Sequence, residues 1–278
     1  MLSREEKNKE LEKEIDHEKK INISKKIIKI FFIVIISFTM IFSYMYFIGT
    51  KFIKTNDYII KDNIPSSFVG VKILHFSDLL YDSISEKEIS NLKEEFQNIN
   101  PDIVVFTGNL FNSDHITTNN DIKLLNDFFK NIPYKLGKYA IRGNLDTQNF
   151  DLIMDNTNFT ILDNELDTIY NGSNEGIDII GLNGQSDTIT TTDNYTITLI
   201  NNYDLFNDYN INSNLVLAGN NLGGEIKLFT IPLLSNNKYM NSYYNENNRI
   251  VYISNGIGSI HHLRFMNHPS INVYRLYQ

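Results

Sequence analysis

The 278-residue chain has no cysteine, so disulfides, thiolate catalysis, cysteine-ligated zinc and iron–sulfur clusters are excluded in any compartment. Histidine is scarce: His17, His75, His115, His261, His262 and His268 are the only imidazoles for metal binding or proton transfer. Net positive charge is lacking as well. The formal charge is −8, and nine Lys/Arg against seven Asp/Glu up to Lys29 leave −10 on residues 30–278. With no basic stripe to release counterions, no nucleic-acid partner is expected. What the chain does have is 42% hydrophobic residues, enough for the core of one or two domains.

Residues 1–29 read as a charged tail, cytoplasmic by the argument below. Leu11 and Ile15 form an apolar i, i+4 pair, too little for a coiled coil, and Ser3 with Glu6 matches a capping box. From Ile30 to Thr50 no residue is charged. Such a run spans about 30 Å as a helix, the thickness of a bilayer's hydrocarbon core, so a single transmembrane helix over 30–50 is expected. No small-x-small cleavage site follows it, which argues against a removed leader. Lys19, Lys20, Lys25, Lys26 and Lys29 precede the run, whereas Lys51, Lys54 and Lys61 follow it. The positive-inside rule then puts the N-terminus in the cytoplasm and the bulk of the chain, a linker over 51–67 and a domain over 68–278, outside.

In that outer part, short apolar runs end at turn formers. VKILHF leads to Ser77-Asp78, DIVVF to Thr107-Gly108-Asn109, KYAI to Arg142-Gly143-Asn144, TITLI to Asn201-Asn202 and NLVLA to Gly219-Asn220-Asn221. Helical spacing is expected over Glu86–Asn98, with Ile89, Leu92, Phe96 and Ile99 on one face, and over Leu124–Ile132. Strand, helix, strand, helix, strand predicts a parallel α/β sheet. TILD, DTIY, IDIIGL and TITLI suggest an antiparallel continuation, and strands are expected near Glu225–Phe229, Val251–Ser254 and Ile271–Leu276. Ligands of α/β sheets sit beyond the strands' carboxyl ends, where Asp78, Asn109, Asn144, Asn201 and Asn220 would converge. A plainer reading also stands: Asp and Asn follow strands because they make Asx-turns, and 39 residues here are asparagine.

The five loops together resemble the calcineurin-like metallophosphoesterase family, in particular its membrane-anchored bacterial branch. Ser77-Asp78-Leu79-Leu80 stands where the family has SDLH, Thr107-Gly108-Asn109-Leu110 where it has TGDL, and Gly143-Asn144-Leu145-Asp146 where it has GNHD. Asn201-Asn202-Tyr203-Asp204 stands at a His-Asn-Pro-Asp run, and Gly219–Ile226 at GHTHGGQI. The resemblance covers about Val71 to Val273 and implies an α/β, four-layer α/β/β/α sandwich. It also implies two metal ions held by seven positions, here Asp78, Leu80, Asn109, Asn144, Asn201, Asn220 and Leu222. Only Asp78 and Asn144 keep the family's residue. Four histidine ligands are replaced by Leu80, Asn201, Asn220 and Leu222, the bridging aspartate by Asn109, and the leaving-group acid by Leu145.

Elementary coordination chemistry agrees with the direction of these departures. A catalytic dinuclear centre of manganese, iron or zinc needs several anionic and imidazole donors, and leucine has no lone pair. Asp78 with amide oxygens from Asn109, Asn144, Asn201 and Asn220 would at most suit weakly bound calcium or magnesium. Asp78 is open to two readings, a surviving ligand contact or a turn cap. Leu80, Leu145 and Leu222 predict a closed, dry crevice. Gly223 and Gly224 are expected to keep a backbone bend, His75 to be a core histidine, and His261, His262 and His268 to cluster on an exposed loop or at the crevice rim. The preferred expectation is a membrane-anchored pseudoenzyme with no cofactor that binds a ligand or partner. The alternatives are a phosphoesterase acting on lipid-linked or cell-envelope phosphoesters through a non-standard metal site, and an adhesion or assembly module.

Overall fold

The computed structural model describes residues 4–112, 114–184, 189–235, 237–246 and 248–278. Two compact units result, Met1–Met45 and Tyr46–Gln278. Helix α1 runs over Arg4–Phe47, and its stretch Ile15–Phe47 is long and apolar enough to cross a membrane, with none of its apolar window buried. It stops at Phe47 rather than Thr50, where Lys51 N donates to Ile48 O in a turn. The expected Ser3–Glu6 capping box lies outside the described residues, as Ser3 does.

Within Tyr46–Gln278 the elements follow as β1 (Lys54–Lys61), β2 (Lys72–Phe76), α2 (Glu86–Ile99), β3 (Ile103–Phe106), α3 (Asn119–Lys130), β4 (Gly137–Ala140), α4 (Asn149–Met154), β5 (Thr160–Ile161), β6 (Glu165–Tyr170), β7 (Gly176–Leu182), β8 (Tyr195–Ile200), β9 (Leu215–Ala218), β10 (Lys227–Leu228), β11 (Ile231–Pro232), β12 (Tyr243–Glu246), β13 (Arg249–Ile253) and β14 (Ser270–Tyr277). One six-stranded sheet has the order β1-β14-β2-β3-β4-β5, the other β12-β13-β9-β8-β7-β6. Capping boxes start the helices: Ser85 with Glu88 on α2 and Thr118 with Asp121 on α3. The second box moves the start of α3 to Asn119, five residues before the expected Leu124.

Three apolar layers hold the domain together. Leu92, Phe96, Phe128 and Phe129 from α2 and α3 pack on Phe76 and Phe106 of the first sheet. Ile73, Val105 and Ile141 meet Ile179, Leu199 and Leu217 between the sheets. Beyond the second sheet, Tyr203 and Phe206 of a 3-10 segment over Tyr203–Asp208 cover Ile180, Ile200 and Val216. This outermost layer is thus made of a 3-10 segment and irregular chain.

Several expectations need correction. The linker over 51–67 contains β1, which pairs in parallel with β14. Its pattern is mostly exposed because it is a sheet edge, with Ile60 its buried residue. The antiparallel continuation holds only for β6 and β7; β8 is parallel to β7, and the TI of TILD joins β4 in the first sheet. The strand expected over Glu225–Phe229 shrinks to Lys227–Leu228, because Glu225 is drawn inward.

Candidate functional site

The carboxyl ends of β2, β3 and β4 in one sheet and of β8 and β9 in the other meet at one crevice, and side-chain bonds lock the five loops together. Asn109 Nδ2 donates to Asp78 Oδ1 at 2.7 Å and to Asn220 Oδ1 at 3.2 Å. Asn220 N donates to Asp78 Oδ2 at 2.9 Å, and Ser77 Oγ donates to the same oxygen at 2.5 Å. Asn201 Nδ2 donates to Thr107 O at 2.7 Å, while Asn144 N donates to Asn201 Oδ1 at 3.2 Å. Asp78, Asn109 and Asn201 are buried, Asn220 half-buried and Asn144 exposed. The asparagines therefore bond across loops, which the Asx-turn reading does not provide.

Backbone conformation explains how the loops approach so closely. Gly108 has φ 90°, and a Cβ there would run into Gly143 N; a Cβ on Gly143 would run into the Asn109 amide. Asp78, Leu80, Asn109, Asn220, Leu222 and Glu225 all have φ between 40° and 66°. Asparagine tolerates that region, whereas leucine there carries strain of about 1 kcal/mol or more. Leu80 and Leu222 are fully enclosed, the first against Gly258 and the second against Gly256 and Asp78. Leu145 stays half-buried at the rim beside Asn144. Two of the three leucines are thus buried in the strand-end loops, while Leu145 stays at the rim beside the exposed Asn144.

Burial pushes the Asp78 carboxyl above the ordinary carboxylate range, while bonds from Ser77, Asn109 and Asn220 and the charge of Arg264 pull it back. Arg264 has no exposed surface, and its guanidinium donates to Leu222 O at 3.3 Å, Asn255 O at 2.8 Å and Gly258 O at 2.5 Å. Burial draws it down to about 10, against the raising influence of Glu225 and Asp78, so it remains charged at neutral pH. In the sequence, Ser254-Asn255-Gly256-Ile257-Gly258 and Arg264-Phe265 also resemble the family's closing segments, but nothing local ties Arg264 to three carbonyl oxygens.

Asp146 of the Gly-Asn-Leu-Asp loop was not expected as a site residue, yet its carboxylate ties two strand-end loops together. Asn109 N and Gly143 N donate to Oδ2 at 2.8 and 2.7 Å, and Leu110 N donates to Oδ1 at 2.7 Å. Burial raises its pKa to about 6; the three N–H bonds oppose this and the neighbouring charge of Asp78 adds to it. A carboxyl raised above its unfolded value near 3.8 keeps its proton longer in the native state, so stability falls as pH rises from about 4 through about 6. Nuclear magnetic resonance titration of the Asp146 side-chain carbon is expected to give a midpoint near 6. A midpoint below 4.5 would contradict this account of its environment.

The C-terminal histidines do not cluster. His261 Nδ1 pairs with Glu225, a buried carboxylate that also accepts from Ser259 Oγ and Ile260 N at 2.7 Å each. His262 is exposed with φ 52°, and the His268 ring meets Phe52 edge-on at 5.4 Å. His75 lies inside the sandwich, with Nε2 3.0 Å from Thr107 Oγ1, and burial lowers its pKa to about 3. A cavity of about 130 Å³ brings His261 together with Asn220, Leu222 and Glu225, but Asp78 is not among its lining residues. Gly223 and Gly224 have φ of 58° and 79° and make the bend that turns Glu225 inward.

The donor set does not fit a pair of catalytic metal ions. Among the described residues no group of three or more His, Asp or Glu side chains converges on a point where a metal could sit. The carboxylate that would anchor such a centre, Asp78, spends its oxygens on three internal donors. A two-sheet α/β sandwich with its crevice at the strands' carboxyl ends is the metallophosphoesterase fold. Residues 71–256 match the family model described as calcineurin-like phosphoesterase, and the chain belongs to that family. No curated protein matches it. Among solved structures, the calcineurin-like phosphoesterase YfkN from Bacillus subtilis aligns with a TM-score of 0.38 at 11% identity, over 68% of this chain and 82% of that one.

Proposed function

We propose that the chain is a membrane-anchored member of the calcineurin-like phosphoesterase family that has given up hydrolysis and binds a ligand or partner through its outer domain. Helix α1 is the anchor, the N-terminus is cytoplasmic, and the domain from Lys54 onward is extracytoplasmic; the lysine asymmetry around the apolar run supports this orientation. The observation that carries the loss of hydrolysis is the hydrogen-bond lattice at Asp78. Where the family's chemistry needs lone pairs aimed at cations, Asn109 Nδ2, Asn220 N and Ser77 Oγ aim protons at the one remaining carboxylate. Leu80 and Leu222, at two of the positions where the family has ligands, are buried apolar side chains. A metal ion there would have to compete with these three donors for the lone pairs of Asp78.

The test is elemental analysis of the purified full chain beside an assay with bis-p-nitrophenyl phosphate. No stoichiometric manganese, iron or zinc and no metal-stimulated turnover are expected. Robust turnover that disappears in Asp78→Ala would overturn the proposal. The alternative, a hydrolase with a rebuilt centre, draws support from the cavity shared by Asn220 and His261. It would predict activity lost on His261→Ala, but the pairing of His261 Nδ1 with Glu225 already commits one ring nitrogen.

A further inference from the structure

The hairpin β10–β11 and the chain after it carry a concentration of exposed apolar side chains: Phe229 is 74% exposed, Ile231 64%, Leu233 57% and Leu234 53%. More than half of each of these side chains' surface faces solvent, a concentration that folding alone does not call for. The hairpin is joined to the loop before β14 by a bridge between Ile226 and Phe265, in which Lys227 N donates to Phe265 O at 2.9 Å. That loop adds exposed Met266 and carries His268, whose ring meets exposed Phe52. Lys54 N, two residues later, donates to Pro269 O at 2.8 Å. The apolar surface is therefore continuous with the point at which the chain enters the domain.

Strand register puts that entry at the crevice end. Lys54 lies opposite Ser270, and β14 runs antiparallel to β2 with Asn272 opposite His75. Only Ile48 to Ile53 separate the end of α1 from the start of β1, so the tether reaches about 20 Å at full extension. Charge is segregated in the same sense. Residues 226–242 contain Lys227 and Lys238 and no acid, and residues 255–269 contain three histidines, the buried Arg264 and no acid, within a stretch of net charge −10 over residues 30–278.

We propose that Phe229, Ile231, Leu233, Leu234, Met266 and Phe52 form a lipid-docking surface that lays the crevice end of the domain on the phospholipid headgroup layer. The proposal rests on the reading of α1 as a membrane anchor. A short apolar finger suits the boundary between headgroups and acyl chains; Glu225 beside it is buried and paired with His261, while Glu88 and Glu95 lie near Phe52 alone. The tether keeps that boundary within reach at high effective concentration, which favours lipid over a second copy of the chain as occupant.

Because the chain has no cysteine, one introduced thiol gives a unique label. The full chain is reconstituted in phosphatidylcholine–phosphatidylglycerol vesicles with and without doxyl-labelled lipid, carrying an environment-sensitive dye at Phe229→Cys, Phe38→Cys or Tyr170→Cys. Tyr170 is exposed and pairs with Gly176, at the opposite end of the second sheet. Doxyl lipid is expected to lower emission about twofold or more at positions 38 and 229 and to leave position 170 unchanged. Adding Ile231→Asp and Leu233→Asp is expected to restore emission at 229. Quenching at 38 but not at 229 overturns the docking surface and leaves the anchor standing, and self-quenching between copies at 229 would assign the surface to a second chain instead. No quenching at 38 sinks the anchor reading and this proposal with it.

Discussion

Arg264→Met is expected to destabilise the outer domain by about 3–5 kcal/mol, read as a lower urea midpoint with unchanged slope. Methionine replaces the aliphatic stem and ends about where Nε lies, so the enclosed space of the guanidinium is left unfilled and lost packing adds to the effect. What goes is the positive charge facing Asp78 and Glu225, together with donors to the carbonyls of Leu222, Asn255 and Gly258. Asp78 and Glu225 keep their own donors but lose the balancing charge, and the carbonyls of Asn255 and Gly258 lose a donor while Leu222 O keeps Asn267 Nδ2; removing one side of a buried charge arrangement leaves the other side's desolvation uncompensated. Arg264→Lys keeps the charge but not the fork that reaches three oxygens, so it is expected to fall between wild type and Arg264→Met. A loss below 1 kcal/mol in the methionine variant would show that Arg264 does not hold the crevice together.

Asp146→Asn is the second large effect, expected at about 2–4 kcal/mol. The substitution changes almost no volume. It replaces one acceptor oxygen by an NH2 group that must face a backbone N–H, either that of Leu110 or those of Asn109 and Gly143. The damage should be local. Hydrogen exchange at the amides of Asn109, Leu110 and Gly143 is expected to accelerate well beyond that of β2 and β3, because those amides lose their acceptor while the strand ladder is untouched. Equal acceleration throughout the first sheet would mean that Asp146 acts on the fold as a whole and not on the loops.

Much of this crevice is legible in the sequence because each loop follows a short β-branched strand, and five such loops in order can only meet at strand ends. The first helical pair was equally plain, since Ile89, Leu92 and Phe96 keep helical spacing and bury that face. What escapes a local reading is whatever depends on distant partners. Strand β1 looks like a linker because an edge strand half open to solvent shows no clean alternation, and its partner β14 is more than two hundred residues away. Asp146 and Glu225 escape for the same reason: their roles are defined by backbone N–H groups and side chains supplied by other loops. That asparagines stand at positions 201 and 220 is visible in sequence, but not that their side-chain amides would bond to loops of the other sheet.

The pairing of β1 with β14 bears on how the protein is made. The first sheet has its opening strand held by its final one, Lys54 against Ser270 through Lys61 against Tyr277. During synthesis the growing polypeptide must therefore emerge through β14 before Ile60 is covered and β2 gains its second neighbour. Until then a helix already suited to a bilayer tethers an unfinished domain with a bare sheet edge, a period when holding factors or proteases have access. A nonsense mutation at Ser270 would strip Ile271, Val273, Tyr274 and Leu276 from two cores at once, so β14 closes the domain's cores as well as its sheet.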